Sequence, residues 1–108
     1  GLAPLIVRGS WYTPAKLAHW RKHGIVPDLF CSREAVADAA EKIMHLILRN
    51  VRGVVNIGGK RRTFAEICPD APHRTRDEVN ATLDYSLPED SSVNTDRYNQ
   101  LVASAYAV

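Results

Sequence analysis

The sequence predicts an α/β or α+β protein in which a small sheet of two to three strands is packed by three to four helices. Two short apolar segments predict buried strands: residues 5–8 lead into a polar, aromatic loop, and residues 54–57 end in a glycine pair. The segments between and after them carry helix-capping signals. Because so small a sheet leaves unpaired backbone edges, we expect oligomerisation or a missing domain to complete it.

Length and composition indicate the organisation and the setting of the chain. Its 108 residues are enough for one domain, spanning 1–108, and the formal net charge of +2 does not by itself indicate nucleic-acid binding. Cys31 and Cys68 lack the spacing of a metal site, and we interpret them as reduced thiols of a cytoplasmic protein. No apolar run reaches the ~20 residues that span a bilayer, so we expect no membrane partner.

The first predicted helix follows the first strand directly. Thr13 is a suitable N-cap, and Pro14 suits the first helical position. The helix is expected over residues 16–22, with Gly24 ending it. Residues 25–30 are then predicted to be extended.

The strongest helix prediction covers residues 32–49. Ser32 is suited to cap this helix, Glu34 lies near the positive end of its dipole, and Arg49 lies near the negative end. One stripe at helical spacing is expected to face the core, made of Val36, Ala40, Ile43 and Ile47.

Two more capped helices are predicted after the second strand, and residues 77–83 between them are a further helical candidate. Residues 63–66, Thr-Phe-Ala-Glu, form a capping box that opens a helix, and Pro69 ends it. The last helix is expected to have its cap at Asn94 or Thr95 and to reach about Ala103. The two strands are thus interleaved with helices, as in α/β proteins.

Three segments, in order along the chain, resemble parts of a known enzyme family. Residues 6–11, Ile-Val-Arg-Gly-Ser-Trp, are similar to a strand that commonly ends in Arg-Thr-Ser-Trp. Residues 53–59 are similar to a strand ending in Asn-x-Gly-Gly, and residues 91–97 are similar to a Ser-Ser-Leu-Asp-Thr tail. Together they resemble the C-terminal, substrate-binding part of extended short-chain dehydrogenases/reductases, of the dTDP-4-dehydrorhamnose reductase-like and NAD-dependent epimerase/dehydratase kind.

The resemblance implies a division of labour between this stretch and an N-terminal Rossmann half. In a full-length relative, that half is expected to bind NAD(P) through a glycine-rich turn and to supply a catalytic tyrosine and lysine. Gly58-Gly59 is the only glycine pair in this sequence, and it lacks the third glycine of such a turn. We therefore expect no cofactor, no catalytic residue and no hydride transfer in this chain alone.

Four residues make up the candidate substrate-binding set. The resemblance places Trp11, and with it Ser10, in the substrate site, where an indole can stack on a base or a sugar face. Arg61 and Arg62 precede a capped helix, and cations beside free backbone N–H groups favour an anion such as a diphosphate. The alternatives are a tryptophan that merely covers the core and a solvated run of charge.

Two other spacings imitate functional motifs. Tyr12 and Lys16 are spaced like a catalytic Tyr-x-x-x-Lys pair, but Pro14 between them places Tyr12 before the helix. His19 and His23 share one helical face, but the sequence offers no third metal ligand for them, and we interpret them as surface residues.

Three functions follow from these patterns, in descending order. The first is the sugar-nucleotide-binding portion of a reductase- or epimerase-like protein, with a nucleotide-sugar as ligand and a homo-oligomer or a Rossmann half as partner. The second is a stand-alone, self-assembling interaction protein whose open sheet edge is covered by another copy. The third is weak nucleic-acid binding by the basic run at residues 60–62 together with Arg49 and Arg52, placed last because no aromatic residues interleave with these charges.

Overall fold

The computed structural model describes residues 3–106, with side chains up to residue 103, as a mixed α/β fold, which confirms the predicted class. Its elements, in chain order, are β1 (Leu5–Arg8), β2 (Trp11–Tyr12), α1 (Pro14–His23), β3 (Phe30–Cys31), β4 (Glu34–Ala35), α2 (Val36–Leu48), β5 (Gly53–Asn56), β6 (Arg62–Thr63), α3 (Phe64–Ile67), α4 (Arg76–Asn80) and α5 (Asp96–Tyr106).

The strands pair two by two instead of forming the single small sheet expected. β1 and β5, the two strands predicted from the sequence, pair in parallel with Leu5 opposite Gly53 and Arg8 opposite Asn56. β2 pairs in parallel with β4, and β3 pairs antiparallel with β6. These two additional pairs involve two residues per strand, too few to give a periodic signal in the sequence.

Helix α1 has the predicted capping residues and is longer than the predicted range of 16–22, by two residues at its start and one at its end. The hydroxyl of Thr13 accepts a hydrogen bond from the Lys16 N–H at 3.1 Å, and Pro14 is the first helical residue. Gly24 has a φ of 92°, a left-handed conformation that favours glycine, and its N–H donates to the Trp20 carbonyl. The extended segment predicted over 25–30 is found only at its two ends, where Ile25 forms an isolated bridge with His73 and Phe30 belongs to β3, and it is wrong in between, where residues 27–28 form a turn.

Helix α2 begins four residues later than predicted, at Val36. Ser32 is not its cap: the side chain is buried, and its hydroxyl accepts a hydrogen bond from the Val93 N–H at 3.0 Å. Residues 34 and 35 are instead extended as β4, where pairing with β2 competes successfully with helix formation. The position predicted for Glu34 at the start of the helix is therefore also wrong.

The buried face of α2 is rotated by about one position from the predicted stripe. Ala39 and Leu46 are 1% exposed, whereas Ile47 is 57% exposed and Val36 and Ala40 also face solvent. Ile43 is partly buried, as predicted. Lys42 shares the inner face with these residues and pairs there with a buried carboxylate.

The apolar interior consists of two clusters. The first joins α2 and α5 to the β1–β5 pair through Ala39, Leu46, Val55, Ile57 and Tyr98. The second surrounds Trp20 with Ile25, Cys68 and Ala71, and the Phe64 ring meets the indole edge-on at 5.5 Å between centroids. Burying side chains of this size stabilises the fold by about 1.5–3 kcal/mol each.

The caps of the later helices agree with the sequence. Thr63 accepts a hydrogen bond from the Glu66 N–H at 3.3 Å at the start of α3, which ends before Pro69. The side chain of Asn94 accepts from the Asp96 N–H at 2.8 Å at the start of α5. Among residues 3–106, no helix has the length and apolar character needed to cross a membrane.

Candidate functional site

The carboxyl ends of β1 and β5 lie side by side and lead into glycine-containing loops. The Ile57 N–H donates to the Arg8 carbonyl at 2.8 Å, so the two chains stay together just beyond the strands. A Cβ atom on Gly9 would lie 2.6 Å from the Ile57 carbonyl oxygen. Glycine at position 9, which differs from the threonine of the resembled motif, therefore permits this close approach.

The Gly58-Gly59 turn packs against the segment that leads into β4. The Gly59 N–H donates to the Ser32 carbonyl at 2.8 Å, and a Cβ atom on Gly58 would lie 2.9 Å from that same oxygen. The Gly59 N–H is thus already bonded within the chain and is not free to donate to a phosphate. The role of the turn here is to bring β4 against the end of β5.

A buried ion pair connects β4 to α2 at this point. The Lys42 ammonium lies 2.5 Å from Oε2 of Glu34 and donates to the Gly58 carbonyl at 2.7 Å. The Glu34 side chain is 5% exposed and the Lys42 side chain 24% exposed. The Lys42 ammonium also lies 5.5 Å from the centroid of the Tyr98 ring, a cation–π distance.

The second oxygen of the Glu34 carboxylate is buried without a hydrogen-bond partner among the described residues. A buried carboxylate oxygen normally accepts one or more hydrogen bonds, and leaving it unpaired costs on the order of 1–3 kcal/mol. Its Oε1 atom is thus an acceptor that a hydroxyl, an ammonium or a water molecule could satisfy.

These side chains line a cleft at the carboxyl ends of the β1–β5 pair, which we call the strand-end cleft. Its volume is about 430 Å³. It is lined by Tyr12, Glu34, Ala35, Asp38, Glu41, Lys42, His45, Gly59, Arg62 and Tyr98. Tyr12 comes from the segment after β1 and Gly59 from the segment after β5, so both strand ends contribute to it.

Arg62 is the predicted site residue that lines the strand-end cleft. It is half-buried, and its Nη2 donates to the Arg33 carbonyl at 3.1 Å. Within the described part of the chain it forms no ion pair with a carboxylate. Its charge is therefore available to an anion that enters the cleft.

Arg61 belongs to a different cleft, although it is next to Arg62 in the sequence. Its guanidinium lies 3.7 Å from the centroid of the Phe30 ring, and its Nε donates to Asp90 at 2.9 Å. Successive residues of an extended chain point to opposite sides, which separates Arg61 from Arg62. The two arginines expected to act together are thus divided between two sites.

The cleft that contains Arg61, here named the arginine cleft, has a volume of about 740 Å³ and also contains Arg74 and Arg76. Each arginine faces a carboxylate: Arg61 pairs with Asp90, Arg74 with Glu78 at 3.8 Å, and Arg76 with Glu89 at 3.4 Å. Hydrogen bonds from Ser92, together with Arg61, lower the pKa of Asp90 from 3.8 to about 2.

Ser10 and Trp11 directly precede the lining residue Tyr12 in the sequence. Neither of them lines the strand-end cleft. Trp11 is 40% exposed, and its carbonyl faces the Arg33 guanidinium at 3.5 Å. The Ser10 carbonyl accepts from the Glu34 N–H at 3.4 Å. The exposed indole of Trp11 differs from that of Trp20, which is 7% exposed and belongs to the core.

The motif-like spacings have structural explanations. Tyr12 is in β2, before the helix that carries Lys16, as its position ahead of Pro14 predicted. The rings of His19 and His23 lie 4.5 Å apart on exposed turns of α1. The described residues contain no cluster of histidine, cysteine or acidic side chains that could hold a metal ion.

Sequence reasoning missed Glu34 and Lys42, which dominate the strand-end cleft. The available signal was the position of Lys42 among apolar residues. Ala39 is three positions before it and Leu46 four positions after it, on the same helical face, and Ile43 is its immediate neighbour. A charged residue on the inner face of a helix requires a buried partner. That partner is Glu34, which lies eight residues earlier in β4 and outside the helix, so the helical pattern alone does not identify it.

No family model, no curated protein and no solved structure matches this chain.

Proposed function

We propose that the chain is the sugar-nucleotide-binding portion of a reductase- or epimerase-like protein and that the strand-end cleft holds the ligand. The proposal depends on one observation above all: β1 and β5 are parallel and both lead into this cleft. In open α/β sheets, ligands bind in crevices at the carboxyl ends of the strands. The resemblance of the strand and loop motifs to sugar-nucleotide enzymes supports the same ligand class.

Two groups of the cleft suit a ligand that carries both a phosphate and hydroxyl groups, although the Asp38 and Glu41 carboxylates of the same lining repel an anion placed near them. Arg62 offers a guanidinium with no carboxylate partner in the described chain, which suits a diphosphate oxygen. Oε1 of Glu34 offers an acceptor for a sugar hydroxyl. The volume of about 430 Å³ falls in the range of small-molecule sites, roughly 300–1,000 Å³.

Trp11 is assigned to the nucleotide end of the ligand. Its indole is exposed, but Trp11 and Tyr12 are successive residues of β2 and only Tyr12 lines the cleft, so the assignment rests on the resemblance and requires a ligand that extends past the edge of the cleft. A base stacked on an aromatic ring gains on the order of 1–3 kcal/mol. Ser10, next to it, would add a hydroxyl to this end of the site.

The arginine cleft is the less suitable of the two sites for a diphosphate. Its three arginines already face carboxylates, so an anion that entered would have to displace those partners or lie beside them. Arg62 requires no such displacement.

The proposed role is binding without chemistry. The Gly59 N–H is not free to donate to a phosphate, and Tyr12 and Lys16 are not on one helix. We therefore propose that this chain binds a nucleotide-sugar and transfers no hydride by itself.

Titration of dTDP and of a dTDP-sugar, followed by NMR of the Trp11 indole and the Arg62 guanidinium, tests the proposal. We expect weak binding, with a dissociation constant on the order of 0.1–1 mM, and shifts at both groups. The Trp20 indole serves as the internal reference, because it is buried in the second core cluster.

The adjacent arginines provide matched variants for this titration. Arg62→Met keeps the aliphatic part of the side chain and is expected to weaken binding roughly tenfold, whereas Arg61→Met should leave it unchanged. If Arg61→Met abolishes binding and Arg62→Met does not, the ligand is in the arginine cleft. Absence of any shift at millimolar ligand would reject the sugar-nucleotide assignment.

A further inference from the structure

The two outer edges of the β1–β5 pair are treated differently by the rest of the protein. On the β5 side, the Arg97 guanidinium from α5 donates to the Val54 carbonyl at 2.5 Å and to the Arg52 carbonyl at 2.9 Å. Gly53, with a φ of 87°, lies against this guanidinium. These bonds occupy the carbonyl groups that another strand would need on that side.

The β1 side has no such cover. The Pro4 and Arg8 carbonyls accept from β5 and from Ile57, so the even-numbered residues of β1 direct their backbone groups towards β5. The backbone N–H and C=O groups of Leu5 and Val7 therefore point the other way. No residue in the described stretch of the chain hydrogen-bonds them there.

One face of the same pair also lacks a covering layer in the described chain. Leu5 and Val7 pack towards the core, whereas Ile6 is 45% exposed and its register partner Val54 is 39% exposed. Parallel strands are normally covered on both faces and continued at their edges. An apolar pair beside an open edge is thus a surface suited to another strand.

We propose that β1 pairs antiparallel with β1 of a second copy of this chain, about a two-fold axis that passes beside Ile6. In this register Leu5 lies opposite Val7 of the second copy, and the two residues exchange hydrogen bonds through their outward N–H and C=O groups. Symmetry doubles these to four bonds. The result is a four-stranded sheet in which the two Ile6 side chains meet at the centre.

The charge and geometry of β1 favour a second copy over an unrelated strand. Arg8 is the charged residue of β1, and in the proposed register it lies opposite Pro4 of the second copy rather than opposite Arg8. The two Arg8 residues are then about 13 Å apart along the strands, beyond the Debye length of about 8 Å at physiological salt. Pro4 has no backbone N–H, but this does not weaken the proposed pairing. The backbone groups of position 4 are directed towards β5 and not towards the second copy.

Symmetry also decides the direction of pairing. Two identical strands related by a two-fold axis can exchange equivalent hydrogen bonds when they run antiparallel, whereas a parallel pair requires the two strands to use different bonding groups. This inference does not depend on the ligand proposed above, but a Rossmann half of a longer protein would compete with the second copy for the same β1 edge.

Charge substitutions at the centre of the proposed interface provide the test, with sedimentation equilibrium over about 5–500 μM as the measurement. We expect the wild-type chain to dimerise, and Ile6→Lys and Ile6→Glu each to raise the dimer dissociation constant at least about tenfold, because like charges meet across the axis. An equimolar mixture of the two variants should recover dimers, since lysine then faces glutamate.

Met44→Lys serves as the matched control, because Met44 is 53% exposed and lies on α2, away from β1. It should leave the dimer unchanged, and far-UV circular dichroism should show all three variants folded. A wild-type monomer at 500 μM, dissociation by Met44→Lys but not by Ile6→Lys, or failure of the mixture to recover dimers would each overturn the proposal.

Discussion

Lys42 and Glu34 form an ion pair, with 2.5 Å between Nζ and Oε2, that joins the helix α2 to the strand β4. The same ammonium donates to the Gly58 carbonyl and so connects three segments of the chain. Charges removed from water to this extent are costly unless they are paired. The pair therefore fixes the shape of the strand-end cleft as well as its charge.

Replacing Lys42 by methionine should destabilise the fold strongly. The substitution keeps an unbranched side chain one atom shorter but leaves the Glu34 carboxylate buried without its cation, a change that costs about 3–5 kcal/mol in comparable sites. Urea denaturation followed by circular dichroism measures the loss of unfolding free energy.

The double variant Glu34→Leu with Lys42→Met separates the charge from the packing. Because it removes both charges, most of the lost stability should return. The comparison also requires the single variant Glu34→Leu. If the losses of unfolding free energy in Glu34→Leu and Lys42→Met simply add in the double variant, the two residues do not interact.

Acid titration should reveal the interaction of Asp90 with its neighbours. Its hydrogen bonds from Ser92 and its contact with Arg61 lower its pKa from 3.8 to about 2. The folded-state pKa of Asp90 lies below its unfolded value. The interaction therefore stabilises the folded protein fully above about pH 4, and this stabilisation is lost as the pH falls towards 2.

Carboxyl carbon NMR of Asp90 measures this pKa directly. Both Ser92→Ala and Arg61→Met should raise the value towards that of an ordinary aspartate. An Asp90 pKa near 4 in the unsubstituted protein would contradict the hydrogen-bond geometry described here.

Neither cysteine should react readily with thiol reagents while the protein is folded. Cys31 and Cys68 are both buried, and burial together with the neighbouring Asp70 raises the pKa of the Cys68 thiol above 9.0. The reactive thiolate of Cys68 is therefore scarce at pH 8, and burial shields Cys31 from the reagent. Mass spectrometry after iodoacetamide treatment should show modification in urea and almost none in buffer, and rapid labelling in buffer would contradict this.

The two tryptophans should give distinct fluorescence. Trp11→Phe leaves the buried Trp20, so its emission should be blue-shifted and protected from acrylamide, whereas Trp20→Phe leaves the exposed Trp11 with the opposite properties. Removing the Trp20 ring by Trp20→Ala should cost about 3–5 kcal/mol of unfolding free energy, whereas Trp11→Ala should cost less than about 1 kcal/mol. Equal quenching of the two single-tryptophan variants would show that their environments are alike.

The features that the sequence predicts well are local ones. Thr13, Thr63 and Asn94 cap helices through hydrogen bonds to N–H groups two or three residues away, so their roles follow from nearby residue types. The strands at 5–8 and 54–57 follow from short apolar runs. The α/β class follows from these elements together.

The features that the sequence did not predict depend on distant contacts. Ser32 would cap a helix if residues 34 and 35 did not pair with β2, more than twenty residues earlier. Arg61 and Arg62 line different clefts because Arg62 lies in β6, which pairs with β3, and Arg61 directly precedes that strand. The Lys42–Glu34 pair likewise appears once α2 is placed against β4.

Arg97 leaves the β1–β5 sheet with one edge that can pair with a strand of another chain. A sheet with two open edges can add copies at both and polymerise, which is the hazard of exposed strands. Here the guanidinium from α5 occupies the carbonyls along one edge. Association through β1 would use up the remaining edge of this sheet, so it would stop at a pair of chains and not continue into a filament.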